Sequence, residues 1–272
     1  MSASISPNKR ESTPEHWQKF WDEADTLELD DVYGTDGRMV REITNLFDGD
    51  LSGRRILEVG AGTGRDAVAL AKAGAEVLTL DYVAGSLGLT EKAANMASVT
   101  VAPICGDGTG SPFLEGTFDV VFHQGLLEHF PDPYPLLRDN LRILKPGGYV
   151  VIDVPQTYHY YTVGKAFLIA IDKWFAGWET QFTIAELEEM VASEGMTVTR
   201  SYGDWMVPGL WYRALRKIIL TRTGKKLPMF PEPVPALARL GEKWRGWFGQ
   251  SRLSLYTTPT IGVIARKAED ES

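Results

Sequence analysis

Apolar positions at the start of the chain recur at intervals of three and four. Trp17, Phe20, Trp21 and Ala24 form one stripe within residues 15–47, as in an amphipathic helix. The run breaks at Tyr33–Gly37 (YGTDG), and a second helical stretch is predicted from Arg38 to Phe47. The period then changes. Ile56–Val59 is a short apolar run ending in glycines, followed by helical spacing over Arg65–Ala73. Further strands are predicted at Glu76–Leu80 (closed by Asp81), Val99–Ile104, Phe118–Phe122 and Tyr149–Val154. A helix over Leu136–Leu144 is stopped by Lys145-Pro146-Gly147-Gly148. Strands alternating with helices at this spacing imply parallel pairing and right-handed crossovers, hence a doubly wound α/β fold.

After Pro155 the rhythm is lost in an aromatic-rich stretch, 155–180. Thr183 then precedes the helix Ile184–Ser193, with Glu186 at the capping-box position. Strands are expected at Met196–Ser201 and Thr260–Ala265. The chain therefore divides into a flexible polar tail (1–14), a helical cap (15–47), a core (48–204), an insertion (205–255) and a last strand with an acidic tail (256–272).

Composition narrows the class. A 272-residue chain with 44% hydrophobic residues can bury a full core, and its single cysteine, Cys105, forms no internal bridge. Cys105 is expected to face the core. No apolar run spans a bilayer and no signal-like stretch opens the chain, so a cytoplasmic protein is expected. The net charge of −8 argues against a nucleic-acid partner. It hides an asymmetry, because residues 205–255 carry ten basic residues against Glu232 and Glu242.

The most informative stretch is ILEVGAGTGRDAVAL, Ile56–Leu70, in which a strand runs into Gly60-Ala61-Gly62-Thr63-Gly64 and a helix follows at once. Glycines belong where backbone must turn sharply and admit a ligand. A plain tight turn is one reading. A dinucleotide site is another, since Gly62-x-Gly64-x-x-Ala67 fits that fingerprint and Asp81 lies where a ribose-binding acid belongs.

Four further motifs accompany the loop: Asp81, Gly106-Asp107-Gly108, FDVVFHQGLLEHF (Phe118–Phe130) and LKPGGYVVIDVP (Leu144–Pro155). In this order the chain resembles the class I S-adenosylmethionine-dependent methyltransferases, in particular those acting on small molecules and in quinone biosynthesis. The resemblance covers residues 38–204 and the final strand, and implies a seven-stranded sheet with the last strand antiparallel.

It also implies roles. Gly60, Ala61, Gly62 and Gly64 would abut the methionine part of S-adenosylmethionine. Glu58 would hold the loop or act indirectly on the cofactor's amino group. Asp81 would accept from the ribose hydroxyls, as a carboxylate with paired acceptors can. Tyr82 would pack on adenine, and Asp107 and the Gly108 N–H would meet its edge. Tyr33 and Arg38 would stand near the cofactor's carboxylate. Gln124 and His123 end the fourth strand, where donor and acceptor meet. His123 and His159 are the candidate general bases, and His129 is read as structural. No metal site is expected.

The resemblance places the segments after the fifth and sixth strands over the acceptor site. They hold Trp174, Trp178, Trp205, Trp211, Trp244 and Trp247. Such aromatics suit a small apolar acceptor, or else pack the lid onto the sheet. In WYRALRKIIL, Trp211, Leu215, Ile218 and Ile219 fall on one face, with Arg213, Arg216 and Lys217 on the other. Basic helices bearing tryptophan favour anionic membrane surfaces. A solvated basic face and an anionic substrate are the alternatives. A non-catalytic cofactor-binding subunit is a further alternative for the whole chain.

Overall fold

The computed structural model describes residues 13–24, 37–171, 179–205, 209–228, 235–249 and 251–269. Tyr33, Trp174 and Trp178 lie outside them, and the side chain of Trp211 is likewise not described. Two helices, α1 (Pro14–Ala24) and α2 (Arg38–Asn45), precede the sheet. The core then alternates as β1 (Arg55–Val59), α3 (Arg65–Lys72), β2 (Glu76–Asp81), α4 (Ala84–Ala97), β3 (Val101–Cys105) and β4 (Phe118–Gln124). It continues through a 3-10 turn (Leu127–His129), α5 (Tyr134–Ile143), β5 (Leu144–Pro155), α6 (Tyr160–Ala170), α7 (Ile184–Ser193) and β6 (Thr197–Asp204). The insertion forms α8 (Leu210–Thr223), α9 (Pro235–Phe248) and a 3-10 turn (Arg252–Tyr256) before β7 (Thr260–Arg266).

The sheet has seven strands in the order β3-β2-β1-β4-β5-β7-β6. The first five are parallel, and β7 runs antiparallel between β5 and β6. Both faces are covered. Leu57, Val59, Val121, Ile152 and Val154 pack against Leu136 and Leu137 of α5 and Ile184 and Leu187 of α7. Ile56, Val120, Phe122 and Val151 pack against Met39 and Ile43 of α2 and Ala67 and Leu70 of α3. A strand buried on both sides reads as a continuous apolar run, which is why these strands are visible in the sequence.

Local chemistry explains the boundaries. The Thr183 hydroxyl accepts from Glu186 N (3.2 Å) and the Glu186 carboxylate accepts from Thr183 N (2.8 Å), completing the predicted capping box. β5 begins five residues before its predicted start. Lys145–Gly148 ends α5 as expected, yet the chain stays in the sheet through an irregularity between the pairs Phe118–Leu144 and Val120–Tyr149. Gly147 takes φ 74°, and a Cβ on Gly148 would lie 2.9 Å from the Lys145 carbonyl. Cys105 is exposed, contrary to expectation, because it ends the edge strand β3.

Two helices are built inside out. α6 buries Thr162 and Lys165 but exposes Tyr160, Val163 and Phe167, with Ile171 continuing the apolar stripe beyond its end. In α8, Leu215, Ile218 and Leu220 are exposed, whereas Arg216 is buried with its Nε donating to the Leu227 carbonyl (2.7 Å). The predicted basic face of α8 is thus divided. Arg216 turns in, Arg213 is half-buried near Asp204, and only Lys217 is exposed. α9 is anchored to the end of β6 by a stack of Trp205, Trp244 and Phe248, with centroids 5.2–5.8 Å apart.

Candidate functional site

The carboxyl ends of β1, β2 and β4 converge on the glycine loop, the position at which open α/β sheets bind ligands. Gly60, Gly62 and Gly64 all take positive φ (65°, 53° and 64°). Each also stands where a Cβ has no room. Ideal Cβ atoms would lie 2.7 Å from Leu126 Cδ1, 2.8 Å from the Trp21 ring and 2.5 Å from Thr90 Cγ2, respectively. Gly64 N donates to the Ala61 carbonyl (2.8 Å), closing the loop as α3 begins.

Two buried carboxyls brace this cradle. Glu58 Oε2 accepts from Ala67 N (3.0 Å) in the first turn of α3. Burial, reinforced by the Asp66 carboxyl, pushes Glu58 well above the usual carboxylate range. Asp81 Oδ2 accepts from Gly62 N (3.1 Å) and Oδ1 from Val83 N (2.9 Å). Burial raises Asp81 above its usual value against the pull of those donors. The Ser86 hydroxyl and the Tyr82 N–H act on the same carboxyl.

Aromatic side chains pack around the loop. Tyr82 packs beside Trp17 and Trp21 of α1 with Val83 and Leu89. Burial, with Asp81, Asp107 and Glu15 nearby, pushes its hydroxyl up to about 12. Asp107 is exposed, with Oδ1 accepting from Thr109 N and Oγ1, both at 2.8 Å. A Cβ on Gly108 would lie 2.9 Å from both Val59 Cγ1 and Leu136 Cδ1. His129 meets Trp17 edge-on at 5.0 Å, pinning α1 to the end of β4.

Across the sheet, Arg38 is buried in a polar cluster. Its Nη2 donates to Asp153 Oδ2 (2.5 Å) and lies 3.6 Å from Asp204 Oδ2, and its guanidinium stands 4.9 Å over the Tyr202 ring. Gln124 Nε2 donates to the same Asp153 oxygen at 3.4 Å. Burial outweighs Arg38 and lifts Asp153 to about 6. Gly262 makes the space, since a Cβ there would overlap Asp153 and Tyr202.

The two histidines expected to act as bases occupy different settings. His123 is wholly buried, and neither ring nitrogen has a hydrogen-bond partner among the described residues. Burial takes it down to about 3. His159 caps α6, its Nδ1 accepting from Tyr161 N at 3.2 Å, so in the neutral ring Nε2 carries the proton. Burial lowers its pKa too. Burial thus favours the neutral ring in both, and among the described residues neither is hydrogen-bonded to a carboxylate.

Sequence reasoning missed Glu128. It lies in the 3-10 turn after β4 and is 3% exposed, and its Oε2 has no hydrogen-bond partner among the described residues. Lys165 and Glu179 form a buried ion pair close enough to act on it electrostatically. Burial, with Glu179 adding to it, lifts Glu128 to about 8. The LEHF motif was the available signal, but the partners are 37 and 51 residues further along the chain. No cluster of metal-ligating residues occurs among the described residues.

These features define an α/β protein with a glycine loop braced by two buried carboxyls at its strand ends. The strand order, with β7 antiparallel, departs from the 3-2-1-4-5-6 order of dinucleotide-binding folds. Residues 57–152 match the model of a family described as "Methyltransferase domain". A ubiquinone biosynthesis O-methyltransferase from Alkalilimnicola ehrlichii is 32% identical over 176 residues, covering 62% of this chain and 68% of that protein. A demethylmenaquinone methyltransferase from Renibacterium salmoninarum is 36% identical over 104 residues, 38% of this chain and 42% of the relative. The chain spans about half the length of several such relatives. Magnesium protoporphyrin IX methyltransferase from Synechocystis PCC 6803, solved with bound SAH, superposes with a TM-score of 0.57 at 14% identity, covering 93% of each chain. The chain belongs to the class I S-adenosylmethionine-dependent methyltransferases.

Proposed function

We propose that this protein transfers a methyl group from S-adenosylmethionine to a hydroxyl of a small lipophilic acceptor. The observation that carries the reading is the cradle itself, in which three positive-φ glycines are tied to the β2 carboxylate by the Gly62 N–H to Asp81 bond. That arrangement fits the cofactor in its chemistry, with a carboxylate at the end of β2 for the ribose hydroxyls and a glycine backbone loop beside it. Gly60, Ala61, Gly62 and Gly64 would hold its amino-acid end, with Glu58 bracing the loop and Gln124 beside it. Tyr82, Asp107 and Gly108 would hold the adenine. The oxygen acceptor is supported by the O-methyltransferases among the relatives.

Bound S-adenosylmethionine supplies an electrophilic methyl group on a positively charged sulfur. The chain's part is to hold the acceptor in line with it and keep water out. Proximity and orientation contribute up to roughly 7–11 kcal/mol in favourable cases. α1 contributes Trp17 and Trp21 to the closure on the cofactor side. Neither histidine is assigned the proton transfer, since His123 is buried and held at about 3 and His159 Nδ1 is engaged in capping α6.

The lipophilic acceptor and a peripheral membrane location are supported by the exposed apolar residues of α6, α8 and α9, among them Phe167, Ile218 and Trp247. The exposed Lys217, Lys225, Lys226 and Lys243 add positive charge to the same insertion. Among the described residues no helix is long and apolar enough to cross a membrane.

The test is methyl-label transfer to catechols with and without a short prenyl tail, beside thermal shifts with S-adenosylhomocysteine and NAD. Stabilisation by S-adenosylhomocysteine alone and faster transfer to the prenylated acceptor are expected. Stabilisation by NAD alone overturns the reading. Cofactor binding with no transfer favours a non-catalytic subunit.

A further inference from the structure

We propose that Glu128 is the catalytic base that takes the proton from the acceptor hydroxyl, in a buried polar cluster with the Lys165–Glu179 pair. The proposal rests on the oxygen-acceptor reading above.

Position comes first. Glu128 belongs to the turn leaving β4, on the ligand side of the sheet. In that turn Leu126 closes against Gly60 of the cofactor cradle, and Glu128 Oε1 lies 3.6 Å from the Cβ position of Gly125. The carboxyl therefore folds back toward the strand end instead of reaching for solvent. The turn is held there on both sides. Gly125 N donates to the Asp153 carbonyl (3.1 Å), and Thr180 N donates to the Glu128 carbonyl (2.8 Å).

The surroundings give the second argument. A carboxyl oxygen buried with no donor is costly, and native structures keep such groups where a ligand completes them. The groups facing Glu128 come from three other elements: Lys165 and Tyr161 on α6, Glu179 before α7, and Asp153 on β5. Burial and the two acidic neighbours raise its affinity for a proton, while Lys165 opposes them. A base with a pKa near the working pH is the efficient one for a weakly acidic hydroxyl. The histidines do not compete, since one is capped into α6 and the other is buried at about 3.

The step balances. The acceptor O–H bond breaks and its proton passes to the Glu128 carboxylate. The oxygen lone pair forms the new O–CH3 bond, and the electron pair of the breaking C–S bond stays on sulfur, leaving a neutral thioether. The carboxyl then loses its proton to solvent.

The test compares wild type, Glu128→Gln and Glu128→Asp on two acceptors, catechol and a nitrocatechol whose hydroxyl is already ionised at neutral pH. Binding of S-adenosylhomocysteine and of each catechol is measured calorimetrically alongside. Expected is a loss of roughly 10²–10⁴-fold in kcat for E128Q on catechol, shrinking to under tenfold on nitrocatechol, with S-adenosylhomocysteine binding unchanged. E128D should recover part of the catechol rate. The acidic limb of the wild-type kcat/KM profile on catechol should disappear in E128Q. Equal losses on both acceptors, or no loss on catechol, overturn the role of Glu128 and leave the acceptor reading intact. If the wild type binds S-adenosylhomocysteine yet methylates neither catechol, the oxygen acceptor fails and Glu128's role with it.

Discussion

The Trp21 ring lies directly on Gly62, with its Cη2 and Cζ2 atoms 2.8 Å from where a Cβ would stand. The helix ahead of the sheet thus touches the glycine loop that follows β1. Gly62→Ala meets two obstacles, the ring and a φ of 53° that costs a non-glycine residue roughly 1–2 kcal/mol. The expected outcome is a lower Tm and loss of the S-adenosylhomocysteine shift. Adding Trp21→Ala should relieve the collision and leave the backbone strain, restoring the shift only in part.

Asp81 ties the loop to β2 through the Gly62 N–H. Asp81→Ala removes both this bond and the proposed ribose acceptor, so calorimetry should show a loss of at least about 100-fold in S-adenosylhomocysteine affinity, the range of two hydrogen bonds to a charged group. Asp81→Asn keeps one acceptor oxygen and should lose less.

Arg38 and Asp153 form a buried ion pair whose halves are unequal to each other's needs. The Asp153 pKa is raised to about 6, so its proton-linked stabilisation is full below the unfolded value of 3.8 and is lost as pH rises through 6. Arg38→Met leaves the carboxylate buried without its cation and should destabilise by roughly 3–5 kcal/mol. Urea denaturation should show a larger loss at pH 8 than at pH 5. Asp153→Asn in the same background should recover most of it.

Glu128 has the same sign at a higher pH. Its pKa is raised to about 8, so the neutral form favours the fold below the unfolded value of 4.5, and that contribution is lost as pH rises through 8. Thermal melts of E128Q should therefore decline less than wild type between pH 7 and 9.

The exposed apolar residues of α9 give a direct reading of membrane contact. Flotation with anionic liposomes should retain wild type and lose it with rising salt. A Leu240→Ser, Trp247→Ser double variant should stay in solution while binding S-adenosylhomocysteine normally, since both side chains are exposed and neither belongs to the Trp205–Trp244–Phe248 stack that anchors α9.

The strands and their order of appearance were legible because each is an apolar run closed by a turn residue, and the capping box announced α7. The insertion's start after β6 was legible from composition. Less was visible where burial runs against type. α6 hides Lys165 and shows Phe167 to solvent, so an amphipathic pattern read with apolar side inward assigns it no place. α4 follows Val83, which supplies no side-chain cap, and carries Gly85 and Gly88. Of the candidate site, the glycines and Asp81 stood out because local backbone geometry demands them. Glu128 did not, because what distinguishes it is the company of Lys165 and Glu179, which only folding assembles.

β6 and β7 pair in register to their very ends, with Asp204 opposite Thr260. Everything from 205 to 259 therefore leaves and re-enters the sheet at one point, already closed by the hairpin. The entropic penalty for lengthening such a loop grows only logarithmically. The exposed positions of α8 and α9 can therefore be changed or their connections lengthened without breaking the β6–β7 pairing, whereas Leu255 and Pro259, where the chain returns, are tied to the core and to the end of β5.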